Sequence, residues 1–85
     1  MMNNKDNIKL VILTPQDTLF EGFVEKVDLP GVKGRFTVLK NHAPVISSLA
    51  EGYVAYVSEG EPARERIVRG FVRVNDNEIV VCAEV

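Results

Sequence analysis

The sequence is poor in the side chains that do chemistry. It holds one cysteine, Cys82, and one histidine, His42, well separated along the chain. A lone cysteine excludes an internal disulfide and fits a reducing compartment. A zinc centre needs about four ligands, and no Cys/His cluster supplies them. Cys82 sits among Val80, Val81 and Ala83, the setting of a buried, inert thiol. His42 lies in a polar loop, where a histidine is ordinarily solvated or hydrogen-bonded. Ser47 and Ser48 follow it closely, but a catalytic triad is recognised by geometry and an orienting acid rather than by nearness in sequence. No catalytic residue, metal ligand, cofactor site or small-molecule substrate is read from the chain.

Also missing is an excess of basic charge. Lys and Arg number 10 against 12 Asp and Glu, a net charge of −2. Nothing in bulk therefore draws the protein to nucleic acid or to an anionic membrane. No segment approaches the ~18 apolar residues needed to span a bilayer. The polar start from Met1 to Asn7 lacks the apolar stretch of a signal peptide. Work at a membrane would have to pass through partner subunits.

What is present is an ordinary globular composition, 46% hydrophobic and 26% charged over 85 residues. That length makes one domain with an adequate but small core. Residues 1–6 are expected to form a flexible N-terminus and 7–85 a single compact domain. The dominant period is two. Ile8, Leu10 and Ile12 share one strand face and Lys9, Val11 and Leu13 the other, until Pro15 interrupts the ladder. The alternation restarts at Phe23, with Glu25, Val27 and Leu29 against Val24, Lys26 and Asp28, and closes at the turn Pro30-Gly31. Phe36 and Val38 make a short strand, followed by a loop over 40–44. Residues 45–49 are too short a run to assign alone. Strand signals return over 53–58 and 64–74, where Val68, Gly70, Val72 and Val74 keep one phase, with a turn at 59–62 between them. Asn75-Asp76-Asn77 reads as a hairpin loop, because these residue types tolerate left-handed backbone angles. The final run over 79–85 is apolar on both faces. Short strands punctuated by turn residues predict a small β-sandwich or barrel. The two-sided apolar character of the first and last strands predicts cover above and below them.

Two weaker motifs fail on their context. Gly31-Val32-Lys33-Gly34 resembles a phosphate-binding or KH-type loop, but Arg35-Phe36-Thr37 follows as a strand where those motifs require a helix. A carrier domain would need a lysine at a hairpin tip, whereas Lys26 reads as mid-strand.

The ordered run Thr14-Pro15, Leu19-Phe20-Glu21-Gly22, Val24-Glu25-Lys26-Val27 and Leu29-Pro30-Gly31 continues through Val32-Lys33-Gly34-Arg35-Phe36 and Asn41-His42-Ala43-Pro44. It resembles the N-terminal domain of the epsilon subunit of F-type ATP synthase, called delta in mitochondria. The family pattern is an aromatic-x-Gly before a Val-Glu-x-Val strand, then a Gly-x-x-Gly turn and a His-Ala-Pro loop. Gly52, the strand over 53–57 and Gly70-Phe71 follow in the family's order, so the likeness covers 7–85.

The resemblance implies an all-β, two-sheet sandwich of about ten short, mostly antiparallel strands. It implies a non-catalytic place in the central stalk of a rotary motor, peripheral on the cytoplasmic face of a bacterial membrane. There the domain couples the c-ring to the gamma subunit during proton- or sodium-driven ATP synthesis. By the same resemblance Thr14, His42, Ala43, Pro44 and Ser47 contact gamma, and Gly31, Val32, Lys33, Gly34 and Arg35 contact the c-ring. Plainer uses stand beside these: turn geometry for Gly31 and Gly34, loop stiffness for Pro44, and capping hydroxyls for Thr14 and Ser47. Arg35 stands where the family often has an acidic or neutral residue, and with Lys33 it favours an acidic partner loop. Thr37 replaces a frequent glycine and is expected only to fill a strand face. Fuller members continue into a helical hairpin that can inhibit hydrolysis; a chain ending at Val85 is expected to lack it. The other reading kept open is a stand-alone β-sandwich interaction or lipoyl-like carrier domain.

Overall fold

The alternating segments form nine strands in a computed structural model that describes residues 7–85. The flexible terminus expected over 1–6 lies outside the described residues. In chain order the strands are β1 (Ile8–Leu13), β2 (Thr18–Val24), β3 (Lys26–Gly31), β4 (Gly34–Val38), β5 (Val45–Leu49), β6 (Gly52–Ser58), β7 (Glu61–Ile67), β8 (Arg69–Asn75) and β9 (Glu78–Glu84). No helix occurs among the described residues. The all-β expectation holds, with nine strands in place of about ten.

Hydrogen-bonded neighbours run β2-β1-β9-β8-β5-β3-β6-β7, and β4 takes the other edge of β3. The link between β5 and β3 is a single residue pair, Gly31 opposite Leu49. The strands divide there into two layers: a first sheet, β2-β1-β9-β8-β5, and a second, β4-β3-β6-β7. Every pairing is antiparallel except β1 with β9.

The core lies between the layers. Ile8, Leu10 and Ile12 point into it from β1, with Ile79 and Val81 from β9 and Val72 and Val74 from β8. The second sheet answers with Val27, Leu29, Val54 and Ile67. Burying one face of each sheet against the other is what a strand period of two makes possible. The free edge of β7 carries Pro62, Arg64, Glu65 and Arg66, residues that discourage pairing with another chain.

Several strand limits differ from the sequence reading, for one physical reason. The alternation from Phe23 to Leu29 is two strands, and both Val24 and Val27 face the core. Glu25 is a corner at which the chain leaves the first sheet for the second, its N–H donating to the Val57 carbonyl at 2.8 Å. The stretch 64–74 breaks likewise at Val68, whose N–H reaches the Glu84 carbonyl at 2.7 Å. Ile67 is buried on one side of that corner while Val68 itself is exposed. Residues 45–49 form β5, and Lys26 begins β3 rather than sitting in mid-strand. At the β8–β9 hairpin, Asp76 and Asn77 take the expected left-handed angles, with φ of 51° and 61°.

Phe20 and Tyr56 join the two layers through rings 4.4 Å apart and tilted by 43°. The Tyr56 hydroxyl donates to a Glu65 carboxylate oxygen at 3.2 Å. Burial, then the Glu65 charge and the hydrogen bond to it, push the phenol up to about 12 from its ordinary 10.0. The folded chain therefore keeps a proton that the unfolded chain has already lost, and stability falls as pH rises between those two values. The loss amounts to roughly 2 kcal/mol. Urea midpoints at pH 9 and 11.5 check this. The native protein should lose more over that interval than Tyr56→Phe, and equal losses would contradict the assignment.

Candidate functional site

An exposed apolar stripe crosses the outward side of the first sheet. The strand period puts Val11 and Leu13 of β1, Val80 and Cys82 of β9, Phe71 of β8 and Ile46 of β5 on that side. Register aligns them in rows: Leu13 with Cys82 and Phe71, and Val11 with Val80, Arg73 and Ile46. Phe71 is 52% exposed and Ile46 75%. Of the charges near the stripe, Lys9 pairs with Glu21 at 3.8 Å and Arg69 with Glu84 at 3.4 Å, while Arg73 stands in the row without an ion pair among the described residues. A groove of about 710 Å³ opens at one end, lined by Leu13, Thr14, Pro15, Ser48, Phe71 and Cys82 among others. A methyl group on Gly70 would run into the backbone of Cys82 and Ala83, so glycine is what lets β8 and β9 close beneath the groove. Apolar surface of this kind, bordered by charge, is suited to docking another macromolecule.

This stripe corrects the expectation that the first and last strands are covered on both faces. Each sheet of a two-layer sandwich has only one neighbour, so the second apolar face of β1 and β9 is left open. It also corrects the reading of Cys82 as a buried thiol, since Cys82 is only half-buried, on that outward side. Ile46 and Phe71 were not singled out as contact residues from the sequence. The available signal was apolar side chains on both phases of one strand, and that pattern does not tell cover by a layer from cover by a partner.

At the opposite end of the sheet two loops clasp each other. Asn77 Oδ1 accepts the Asn41 N–H at 2.6 Å, and Asn77 Nδ2 donates to Asn41 Oδ1 at 3.1 Å. Lys9 N–H ties the same hairpin to β1 through the Asn77 carbonyl at 3.0 Å. His42 is held from both sides: its N–H donates to the Leu39 carbonyl at 3.1 Å and its Nδ1 to the Ala43 carbonyl at 2.6 Å. His42, Ala43 and Pro44 border a hollow of about 520 Å³ with Asn75, Asp76 and Asn77. Pro44 also borders a second hollow with Ile46 and Arg73, which connects the loop to the apolar stripe. Asn77→Gly keeps the backbone angle and removes the clasp. Hydrogen exchange at Asn41 and His42 should then speed by about tenfold or more, with a stability loss of about 1 kcal/mol.

The five positions expected at one partner are thus spread along one sheet. Thr14 borders the groove while its hydroxyl caps the following turn, accepting the Asp17 N–H at 2.9 Å. His42, Ala43 and Pro44 gather at the far end. Ser47 lies opposite Val72 on the core side of β5, half-buried, with its hydroxyl on the Ser48 carbonyl at 3.2 Å. Its neighbours Ile46 and Ser48 take the outward positions.

The other expected surface is the hairpin tip between β3 and β4. Gly31 pairs with Gly34, leaving Val32 and Lys33 as a two-residue loop, and Gly34 has φ of 128°. A side chain on Gly31 would meet the Gly34 carbonyl oxygen at 2.7 Å, so this position requires glycine. Val32 N–H donates to the Ser48 carbonyl at 3.2 Å and Arg35 Nη2 to the Tyr53 carbonyl at 3.1 Å. These anchors fix the tip on both sides, and the Ser48 anchor puts it at the groove end of the molecule. Thr37 does more than fill a face, since its hydroxyl donates to the Asp28 carboxylate across the β3–β4 pair.

Comparisons with known proteins give the family and the fold. A family profile described as ATP synthase, Delta/Epsilon chain, beta-sandwich domain matches residues 7–85. The ATP synthase epsilon chain of Carboxydothermus hydrogenoformans is 38% identical over 78 residues, covering 92% of this chain and 58% of the relative. That of Pelotomaculum thermopropionicum is 39% identical over 75 residues, covering 88% and 56%. The chain spans a little over half the length of the curated relatives it matches. In three dimensions it is similar to a chain in the Euglena gracilis mitochondrial ATP synthase, in a structure of its OSCP, F1 and c-ring. That match has a TM-score of 0.86 at 22% identity, over 96% of this chain and 53% of the other. A chain in the central stalk and c-ring of the Tetrahymena thermophila mitochondrial enzyme gives 0.75 at 13% identity, over 91% and 63%. Identities this low speak for the fold alone.

Proposed function

The chain belongs to the ATP synthase delta/epsilon-chain β-sandwich family, and from that premise we propose that it is a non-catalytic rotor subunit joining the c-ring to the gamma subunit. The observation that carries this reading is the exposed apolar stripe of the first sheet, with Phe71 and Ile46 open to solvent and the groove at its end. The stripe is the seat for gamma, flanked by Thr14 at the groove and by His42, Ala43 and Pro44 at the far loops. The tip formed by Gly31, Val32, Lys33, Gly34 and Arg35 is the contact with the ring.

A coupler of this kind needs stiffness and two separate footholds. Two hydrogen-bonded sheets packed face to face supply the stiffness, and anchored loops present contact groups on it. Ion-driven rotation of the ring then turns gamma because the domain cannot shear between them. Whether protons or sodium drive the ring does not alter what this domain does. Membrane attachment runs through the partners, on the cytoplasmic face of a bacterial membrane. No helix among the described residues is long and apolar enough to cross one.

The test measures two affinities of one protein. Purified chain is bound to gamma and, separately, to an assembled stalk and c-ring, before and after Lys33→Glu with Arg35→Glu. Affinity for gamma should stay within about twofold, while retention on the ring falls by about tenfold or more. Absence of gamma binding would sink the rotor reading. Unchanged ring retention would sink the assignment of the tip.

A further inference from the structure

We propose that the outward side of the second sheet is a docking surface for carboxylate side chains, built by Arg35, Arg64 and Arg66 around Tyr53. The inference rests on the reading above, because the carboxylates would belong to the partner met by the hairpin tip.

All four strands of that sheet contribute to one row. Arg35 of β4 lies opposite Pro30 of β3. The β3–β6 register pairs Asp28 with Ala55, and continuing it sets Pro30 across from Tyr53. Arg66 of β7 is opposite Tyr53, and Arg64 is opposite Ala55, the next outward position. The side chains converge as the register requires. Arg35 Nη2 donates to the Tyr53 carbonyl at 3.1 Å, and the guanidinium carbons of Arg64 and Arg66 lie 4.2 and 5.6 Å from the Tyr53 ring centroid. Stacking on an aromatic face holds a guanidinium nearly in place, so less freedom is lost when it meets a partner.

Positive charge outweighs negative on this face, although Asp28, which accepts from the Thr37 hydroxyl, lies in register with Ala55 and Arg64. Arg66 pairs with Glu51, but Arg35 and Arg64 have no carboxylate partner among the described residues. On the first sheet Lys9 and Arg69 are each matched, and Arg73 stands alone, without a ring or a second guanidinium beside it among the described residues. The chain as a whole is negative, at −2, and what sets this face apart is that its guanidinium groups gather around one ring.

A carboxylate fits this geometry better than a free phosphate does. The three hollows described above are lined by other residues, which leaves the arginines on an open strand surface. Strand N–H groups lie in the plane of the sheet and cannot cradle a small anion from below. A planar carboxylate takes a guanidinium edge-on through two hydrogen bonds and needs no cradle. Arg35 also belongs to the hairpin tip, so the row and the tip form one continuous surface. Acidic loops of a protein pressed against the tip would reach both.

The test uses the whole chain bound to an assembled stalk and c-ring at low and high salt. Arg64→Glu with Arg66→Glu should weaken retention on the ring by about tenfold or more and flatten its salt dependence. Affinity for gamma should be unchanged. The Arg64→Gln, Arg66→Gln pair repeats the measurement with less perturbation of β7 and should give a smaller loss in the same direction. Thermal midpoints close to the native value show that each variant is folded. If both pairs keep native ring retention while Lys33→Glu with Arg35→Glu loses it, the arginine surface is overturned and the rotor reading stands. If the native chain binds neither gamma nor ring, both fall together. Arginine-dependent retention on phosphatidylserine vesicles, with none on the ring, would overturn the proposal in favour of a lipid headgroup.

Discussion

Replacing Leu29 by alanine is expected to remove about 2–5 kcal/mol of folding stability. Leu29 is fully shielded, and it sits on the one strand that pairs with β4, β5 and β6. The lost contacts therefore cannot be recovered by moving one neighbour without disturbing two others. A domain of this size has about 4–13 kcal/mol in total, so the truncation takes a large share of it. In thermal terms the midpoint should fall by about 10 °C or more. Urea and thermal melts measure it directly. A loss below about 1 kcal/mol would mean that the two layers do not pack on Leu29 as described.

Phe71→Asp should separate binding from folding. Phe71 points outward from β8 between Ser48 and Cys82 and is already half in water. An aspartate there costs the free protein little, within about 1 kcal/mol. If the stripe is the seat for gamma, the same change puts a charge in the middle of a desolvated contact. Large aromatic residues at such centres carry about 2 kcal/mol or more, so affinity should fall by roughly thirtyfold or more. Val32→Asp serves as the control. Val32 is comparably exposed, at 58%, but lies on the hairpin tip, so its substitution should leave gamma binding alone. Native affinity in Phe71→Asp would remove the stripe from the interface.

Much of the fold was legible because burial in a sandwich obeys a period of two. Ile8, Leu10 and Ile12 announce β1 and its inward face, and Asn75-Asp76-Asn77 announces its hairpin through residues that accept left-handed angles. The misreadings fall where the chain changes layers. Glu25 and Val68 are single-residue corners, and on either side of each the inward phase shifts. An alternation carried through Phe23, Glu25 and Val27 has the right period with the wrong phase for half its length. Nothing in the local pattern says which of two sheets a strand joins, since that depends on partners far away in the chain. Residues 45–49 show the same limit: β5 is short and half polar, and it exists because Val72 and Val74 stand opposite Ser47 and Val45.

The surfaces were legible in unequal measure. Gly31 and Gly34 state the geometry of the tip, because the pairing that closes the hairpin leaves no room for a side chain at one and imposes a positive φ at the other. The arginine row could not be read, because Arg35, Tyr53 and Arg66 come from three strands that meet only through cross-strand register. Ile46 and Phe71 were hidden differently, as ordinary apolar strand residues whose exposure depends on the absence of a third layer.

The parallel pairing of β1 with β9 also bears on how the molecule assembles. β9 lies between β1 and β8, so the first strand synthesised cannot take its final place until the ninth has emerged from the ribosome. Until then β1 and β2 form a lone hairpin, which is marginal in water. Hairpins β3–β4, β6–β7 and β8–β9 need only nearby sequence, whereas closing the first sheet needs contacts across nearly the whole domain. Formation should thus be a single late event on a timescale of milliseconds to seconds. A nascent chain stalled before β9 would leave one edge of β1 unpaired and call for protection by a chaperone.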